Sequence, residues 1–194
     1  MHDILIYHHE VYRKLIHISS SSIALLLWYF GKDNFLPWVL VVAIIVPILD
    51  FSRKYVNILK NIYFSLFRYV TRSHEYTTLS GASWVFLGIG ITVCIFSEKV
   101  AIISILVMSL SDSAAAIIGI KFGTTRLFDK SLEGTLSFLI TTYMIIFLLS
   151  SASIIFSLIT SILITIIELF SNKFNDNIII PIATALILTI GGIN

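Results

Sequence analysis

The sequence predicts an all-α polytopic membrane protein with about seven transmembrane helices, an interfacial amphipathic helix and a cytoplasmic N-terminus. Three observations predict it. Hydrophobic residues make up 57% of the chain and charged residues 12%, with a mean hydropathy of +0.97; a water-soluble domain carries about 25% charged residues. Apolar runs recur at the length that a bilayer core of about 30 Å asks of a helix, about 17 to 25 residues. Once those runs are counted as crossings, almost all Lys and Arg fall on one side. The same composition excludes disorder and a coiled coil. Cys94, the only cysteine, excludes an internal disulfide scaffold, and a net charge of +2 gives a nucleic-acid partner no support.

The predicted spans are Leu15–Phe30, Phe35–Phe51, Leu79–Ser97, Val100–Ile120, Leu132–Leu149, Ala152–Phe170 and Ile178–Ile193, in a single integral-membrane domain over residues 1–194. The first and last are short for a crossing. Glu10, Arg13 and Lys14 interrupt what would be the apolar core of a signal peptide, so no cleavable signal is expected. Between the second and third spans, Asn57, Lys60, Asn61, Ser65 and Arg68 recur at helical spacing within Tyr55–Val70. Two readings stay open for this amphipathic helix: it lies in the headgroup plane with a basic outer face, or it packs on the spans.

Charge placement orients the whole. Seven crossings put Arg13, Lys14, Arg53, Lys54, Lys60, Arg68, Arg72, Lys121, Arg126, Lys130 and Lys173 on one side, and Lys32 and Lys99 on the other. The positive-inside rule makes the rich side cytoplasmic and puts the C-terminus outside. A short chain without an organelle-targeting segment makes a bacterial inner membrane the expected location. Of the acids, only Asp33 and Glu98 fall on the outer side. A cytoplasmic face rich in both signs suits a magnesium-bound, highly anionic ligand.

Asp112 is the most informative residue. It lies in the fourth span, eight residues before Ile120, so about 12 Å below the cytoplasmic end at about 1.5 Å per residue. A carboxylate at such depth costs at least about 2.5 to 3.5 kcal/mol and marks a functional site with a partner by default; an interspan salt bridge is the alternative. Ser109, Ser111, Ser113, Ala114, Ala115, Ala116 and Gly119 around it allow close helix approach and a polar cavity.

Glu10, Arg13, Lys14 and His17 follow an i, i+3, i+4, i+7 pattern and share one helix face. Two cations on one face grip phosphates or, equally, snorkel to lipid headgroups. His8 and His9 read better as a solvated tail than as metal ligands. Asp50 and Arg53 have the spacing of a local ion pair. From Lys121 onward, Gly123, Arg126, Asp129, Lys130 and Ser131, followed by Glu133 and Gly134, make a candidate phosphate cradle before a helix start. The spacing is not that of a Walker A loop. Ser80–Ser83, with Glu75 before it, reads as packing. Asp176 and Asn177 read as a helix cap, and Glu168 as the partner of a nearby base.

Together these motifs resemble the family of CTP-dependent lipid kinases (dolichol, phytol and diacylglycerol kinases), whose wider relatives are the phosphatidate cytidylyltransferases. EVYRKLIH matches the family's Glu-x-x-Arg-Lys-x-x-His, and DFSR its Asp-x-x-Arg. SDSAAAIIGIKFG and DKSLEG match its aspartate, small-residue and Lys-Ser-x-Glu-Gly stretch; Glu168, Asp176 and Asn177 match its late acids and asparagine. Ser111 stands where the family usually has glycine. The resemblance covers residues 10 to about 181 and implies CTP, Mg²⁺ and a membrane-dissolved alcohol (polyprenol or dolichol, phytol or diacylglycerol) phosphorylated at the cytoplasmic face. It implies catalytic Asp112, Lys130 and Glu133, metal ligands Asp112, Asp129 and Glu133, and nucleotide binding by Arg13, Lys14, Gly119, Gly123, Lys130, Ser131 and Asn177. Glu10, His17, Asp50, Arg53, Glu168 and Asp176 are its further candidates.

Two other functions stay open at this point. A cytidylyltransferase joining phosphatidate to CTP uses the same nucleotide, metal and membrane face, and only its products distinguish it. A small transporter would carry acids at the bilayer midplane and an internal repeat, neither of which the sequence displays. No oligomeric state is predicted.

Overall fold

The computed structural model describes the backbone of residues 2–71, 73–171 and 175–194, with side chains for 9–71, 75–171 and 175–194. The cations Arg72 and Lys173 and the side chain of His8 lie outside the described residues. Among the described residues the regular structure is helical apart from one small hairpin. Its elements are α1 (His2–Ser19), α2 (Ser21–Phe30), α3 (Lys32–Ser52), α4 (Asn57–Phe67), α5 (Gly81–Ile95), α6 (Glu98–Leu106), α7 (Asp112–Phe122), β1 (Arg126–Leu127), β2 (Lys130–Ser131), α8 (Leu132–Ser150), α9 (Ile154–Phe170) and α10 (Asp176–Ile190).

Among the described residues, three helical stretches are long and apolar enough to cross a membrane: Lys32–Ser52, Glu98–Phe122 and Leu132–Ser150. Gly81–Ile95, Ile154–Phe170 and Asp176–Ile190 are shorter apolar helices. The predicted first span, Leu15–Phe30, is not one helix but two, broken at Ser20. Its serine run supplies the cause: Ser19, Ser20 and Ser22 each turn their hydroxyl onto the carbonyl three residues back, at 2.6–2.7 Å. Such local bonds compete with the helical ladder. The predicted amphipathic segment is helical over Asn57–Phe67 only.

The burial pattern is that of a protein solvated by hydrocarbon. Large apolar side chains such as Trp28, Trp38, Ile44, Leu148, Ile155 and Ile159 face outward, while Ser104, Ser113, Ser161, Thr165 and Thr184 are buried. Each of these five hydroxyls donates to the carbonyl four residues back, so its own helix satisfies it. The core forms around α6 and the π turn Val107–Ser111 that joins it to α7; Val100, Ile103, Ile105 and Met108 are 0–1% exposed. α2, α8 and α10 pack around this rod, and α1 lies along α7. At the end away from the cavity, Lys32 Nζ donates to Phe96 O at 2.6 Å and Lys99 Nζ to Ser150 O at 3.0 Å.

α5 meets α10 through Gly88. A Cβ there would lie 2.1 Å from Asn177 O, so Gly88→Ala must push aside the start of α10. It is expected to destabilise the protein by about 1–3 kcal/mol, read as a lowered melting temperature in detergent.

Candidate active site

A cavity of about 1270 Å³ opens where α1, α7, the hairpin and the neighbouring ends of α5, α8, α9 and α10 converge. The predicted face of α1 lines it as a unit: Glu10, Arg13, Lys14 and His17 all reach the space. Glu10 accepts from Arg13 Nη2. Lys14 Nζ donates to Asp112 Oδ2, and the two residues are buried 98 positions apart in sequence.

The π turn explains how Asp112 is presented. It loosens the helical ladder just before the aspartate, a distortion frequent at functional sites. His17 Nε2 lies 3.1 Å from Met108 O and 3.3 Å from Asp112 Oδ2. A carbonyl only accepts, so Nε2 carries the proton in this arrangement. Asp112 is thus held between an ammonium and an imidazole N–H, 9% exposed at the wall of the cavity. Ser111, in the place of the family's glycine, is fully buried, and its Oγ has no hydrogen-bond partner.

The segment after α7, predicted as a loop, folds into a hairpin with Arg126 opposite Ser131 and Leu127 opposite Lys130. Phe128 takes the left-handed conformation at its tip (φ 56°). The hairpin carries Arg126, Asp129, Lys130 and Ser131 to the cavity. Lys130 Nζ donates to Glu168 Oε1 at 2.6 Å and to Glu168 O at 2.5 Å, with Asp176 Oδ2 at 3.6 Å. Glu168 and Asp176 therefore belong to the same site. Asn177 also lines it, its Nδ2 donating to Gly81 O at 3.3 Å.

Glu133 departs from its expected place. It is not among the cavity residues; its Oε1 instead accepts from Thr124 N, Thr124 Oγ1 and Thr125 N at 2.6–3.2 Å and fastens the foot of the hairpin. The predicted metal set of Asp112, Asp129 and Glu133 therefore does not converge. Among the described residues no three His, Cys, Asp or Glu side chains do so.

The glycines combine lining with packing. A Cβ on Gly119 would lie 2.7 Å from Ser131 Oγ, and one on Gly134 2.8 Å from Ala115 O. Only glycine lets α7 and α8 approach so closely. Gly123 is crowded in the same way by Ser131. The helix starts around the cavity already have partners: Gly81 N donates to Glu75 Oε1 at 2.9 Å, and Gly134 N to Ser131 Oγ at 3.1 Å. An anionic ligand here is met mainly by Arg13, Lys14, Arg126 and Lys130.

Asp50 and Arg53 form the predicted ion pair, but outside the cavity. Asp50 Oδ2 accepts from Ser80 N and Ser83 Oγ, both at 2.6 Å, at the start of α5. Arg53 Nη2 donates to Glu75 O at 2.7 Å, and its guanidinium stacks on the Tyr63 ring at 3.9 Å. Burial raises the Tyr63 phenol above its ordinary pKa. The pair fastens α3, α4 and the approach to α5, and so positions the cavity wall. Asp50→Ala leaves a buried guanidinium without its carboxylate and is expected to cost about 3–5 kcal/mol, seen as an early thermal transition.

Sequence reasoning missed the apolar half of the cavity. Ile16, Ile23, Tyr63, Phe67, Trp84 and Phe86 line it from α1, α2, α4 and α5. Its one signal is the inner face of α4, where Tyr63 and Phe67 recur at i, i+4.

Three similar proteins bear on this site. An uncharacterised protein of Rickettsia prowazekii is 27% identical over 93% of this chain and 94% of its own length. A CTP-dependent diacylglycerol kinase of Saccharomyces cerevisiae is 36% identical over 66% of this chain, which spans 46% of the yeast protein. A phytol kinase of Synechocystis is 26% identical over 94% of this chain and 79% of its own length. No family model matches the chain. No solved structure is significantly similar to it.

Proposed function

The chain belongs to the CTP-dependent lipid kinase family, and from that premise we propose that it transfers the γ-phosphoryl group of CTP to the hydroxyl of a membrane-dissolved alcohol. The observation that carries this reading is the composition of one cavity. A buried carboxylate gripped by Lys14 and His17 adjoins Arg13, Arg126 and Lys130 on one side and an apolar wall on the other. An anionic donor and a hydrocarbon acceptor both find their chemistry there.

Phosphoryl transfer needs alignment and charge neutralisation more than covalent help from the protein. The alcohol oxygen forms the new bond to the γ-phosphorus, the bond from γ-phosphorus to the bridging β-oxygen breaks, and CDP leaves. Asp112 takes the hydroxyl proton. Lys14 and His17 hold its carboxylate in place, while Arg13, Arg126 and Lys130 bind the phosphates. Ile16, Phe67, Trp84 and Phe86 hold the acceptor's chain beside Asp112. The Lys and Arg bias supports seven crossings, with the N-terminus and the cavity on the cytoplasmic side.

Mg²⁺, which the family implies, fits the donor set. Among the described residues of the cavity, Glu10, Glu75, Asp112, Asp129, Glu168 and Asp176 outnumber the cations Arg13, Lys14, Arg126 and Lys130. A triphosphate entering the cavity adds further negative charge, which a hard divalent cation would offset. Such an ion supplies charge neutralisation on the phosphates, and carboxylates of this wall would hold it.

Glu133 acts in this scheme by positioning Lys130 through the hairpin. Glu133→Ala is expected to lower kcat/KM about tenfold, chiefly through the KM for CTP, and Glu133→Gln, which keeps the accepting oxygen, restores most of it. The activity itself is tested with purified protein in detergent, Mg²⁺ and γ-labelled CTP, offering diacylglycerol, a polyprenol and phytol in turn. Label recovered in one lipid class establishes the reaction and its acceptor; label in none contradicts it.

A further inference from the structure

We propose that Glu168 and Asp176, where α9 and α10 meet, hold the divalent cation of the reaction, and that Asp112 is not its ligand. The assignment rests on the kinase reading only for the ion's role. The site itself stands on geometry.

Glu168 is 3% exposed, yet it belongs to the cavity wall. Its Oε1 accepts from Lys130, whereas its Oε2 is buried with no hydrogen-bond partner. A buried, unsatisfied carboxylate oxygen is costly unless a ligand completes it. Asp176 faces the same ammonium at 3.6 Å through Oδ2. Ser171 Oγ joins the two carboxylate segments, lying 2.7 Å from Glu168 O and against Asp176 Oδ1. Among the described residues, two acids thus converge on one lysine, at a place where a compact ammonium already sits.

Both sites hold a lysine, but the Lys14 side chain at Asp112 is 7% exposed and that of Lys130 at Glu168 is 20% exposed, facing the cavity. Asp112 Oδ2 has both the Lys14 ammonium and the His17 N–H, so an ion binding there must displace a buried lysine. Mg²⁺ takes one or two carboxylates and completes its shell with water and substrate phosphate. Glu168 and Asp176 supply that number without a third acid. When the ion enters, it takes over the charge that Lys130 now balances, and the lysine turns to the phosphates. Asp112 stays free of metal to accept the hydroxyl proton.

The test titrates full-length protein in detergent with Mn²⁺ alone, following free Mn²⁺ by electron paramagnetic resonance. Glu168→Gln is expected to weaken binding at least about tenfold, and Asp112→Asn to change it less than about threefold. Lys130→Met is expected to tighten binding, an opposite shift that a misfolded protein cannot produce. Absence of Mn²⁺ binding by the wild type overturns the proposal, as does unchanged affinity in Glu168→Gln or loss of binding in Asp112→Asn. Label transfer from CTP is followed in the same preparations. A wild type that phosphorylates lipid while Glu168→Gln keeps its Mn²⁺ affinity refutes the metal assignment and leaves the kinase standing. Mn²⁺ binding lost in Glu168→Gln without transfer by the wild type does the reverse.

Discussion

Asp112→Asn is expected to lower lipid phosphorylation about 10²- to 10⁴-fold, the span of a positioned general base. The amide keeps the shape of the side chain and an oxygen for Lys14 Nζ, but it cannot take a proton. Its neighbours make the experiment readable. Lys14 and His17 are themselves buried, so losing the negative charge also lowers the melting temperature. Asp112→Glu, which keeps the charge, separates the two effects by restoring stability more than turnover. Activity near the wild-type level in a folded Asp112→Asn protein would remove this carboxylate from the reaction.

Lys130→Met is expected to be nearly as damaging, about 10²- to 10³-fold in kcat, the usual loss when one preorganised charge at a developing anion is deleted. β2 brings this ammonium to the cavity, and Glu168 and Asp176 hold it there. Arginine is expected to rescue poorly, because its larger planar head cannot reproduce an ammonium that donates at once to Glu168 O and Glu168 Oε1. The same substitution should tighten Mn²⁺ binding while abolishing turnover. Kinetic measurement of kcat and the KM for CTP checks the first effect. A Lys130→Met protein with unchanged constants would place the phosphates elsewhere.

The parts of this site that were legible in the sequence are those governed by local spacing. Glu10, Arg13, Lys14 and His17 share a helix face because 3.6 residues make a turn, and all four line the cavity. The burial of Asp112 followed from its place in an apolar run. Contacts made across the fold were not legible: Lys130 meets Glu168 at a separation of 38 residues, and Asp50 reaches Ser83 at 33. Glu133, grouped with Asp112 and Lys130 by the resemblance, lies outside the cavity lining. Its spacing from Lys130 is that of a helix turn, but β2 ends between them at Ser131, so the two side chains serve different ends of the hairpin. The break at Ser20 escaped notice because hydropathy ignores where a hydroxyl sends its proton. Finally, the apolar wall is built from Ile, Phe and Trp in a chain that has them throughout.

The central claim is that a single cavity joins the terminal phosphate of CTP to a lipid hydroxyl. The most direct measurement compares two positions of the label. Purified protein with Mg²⁺ receives CTP labelled at the γ-phosphate or at the α-phosphate, together with lipid alcohols and, separately, phosphatidate. The expected result is γ-label in the lipid with CDP released, and no α-label in any lipid. Entry of α-label into lipid with release of pyrophosphate would make the protein a cytidylyltransferase and contradict the account.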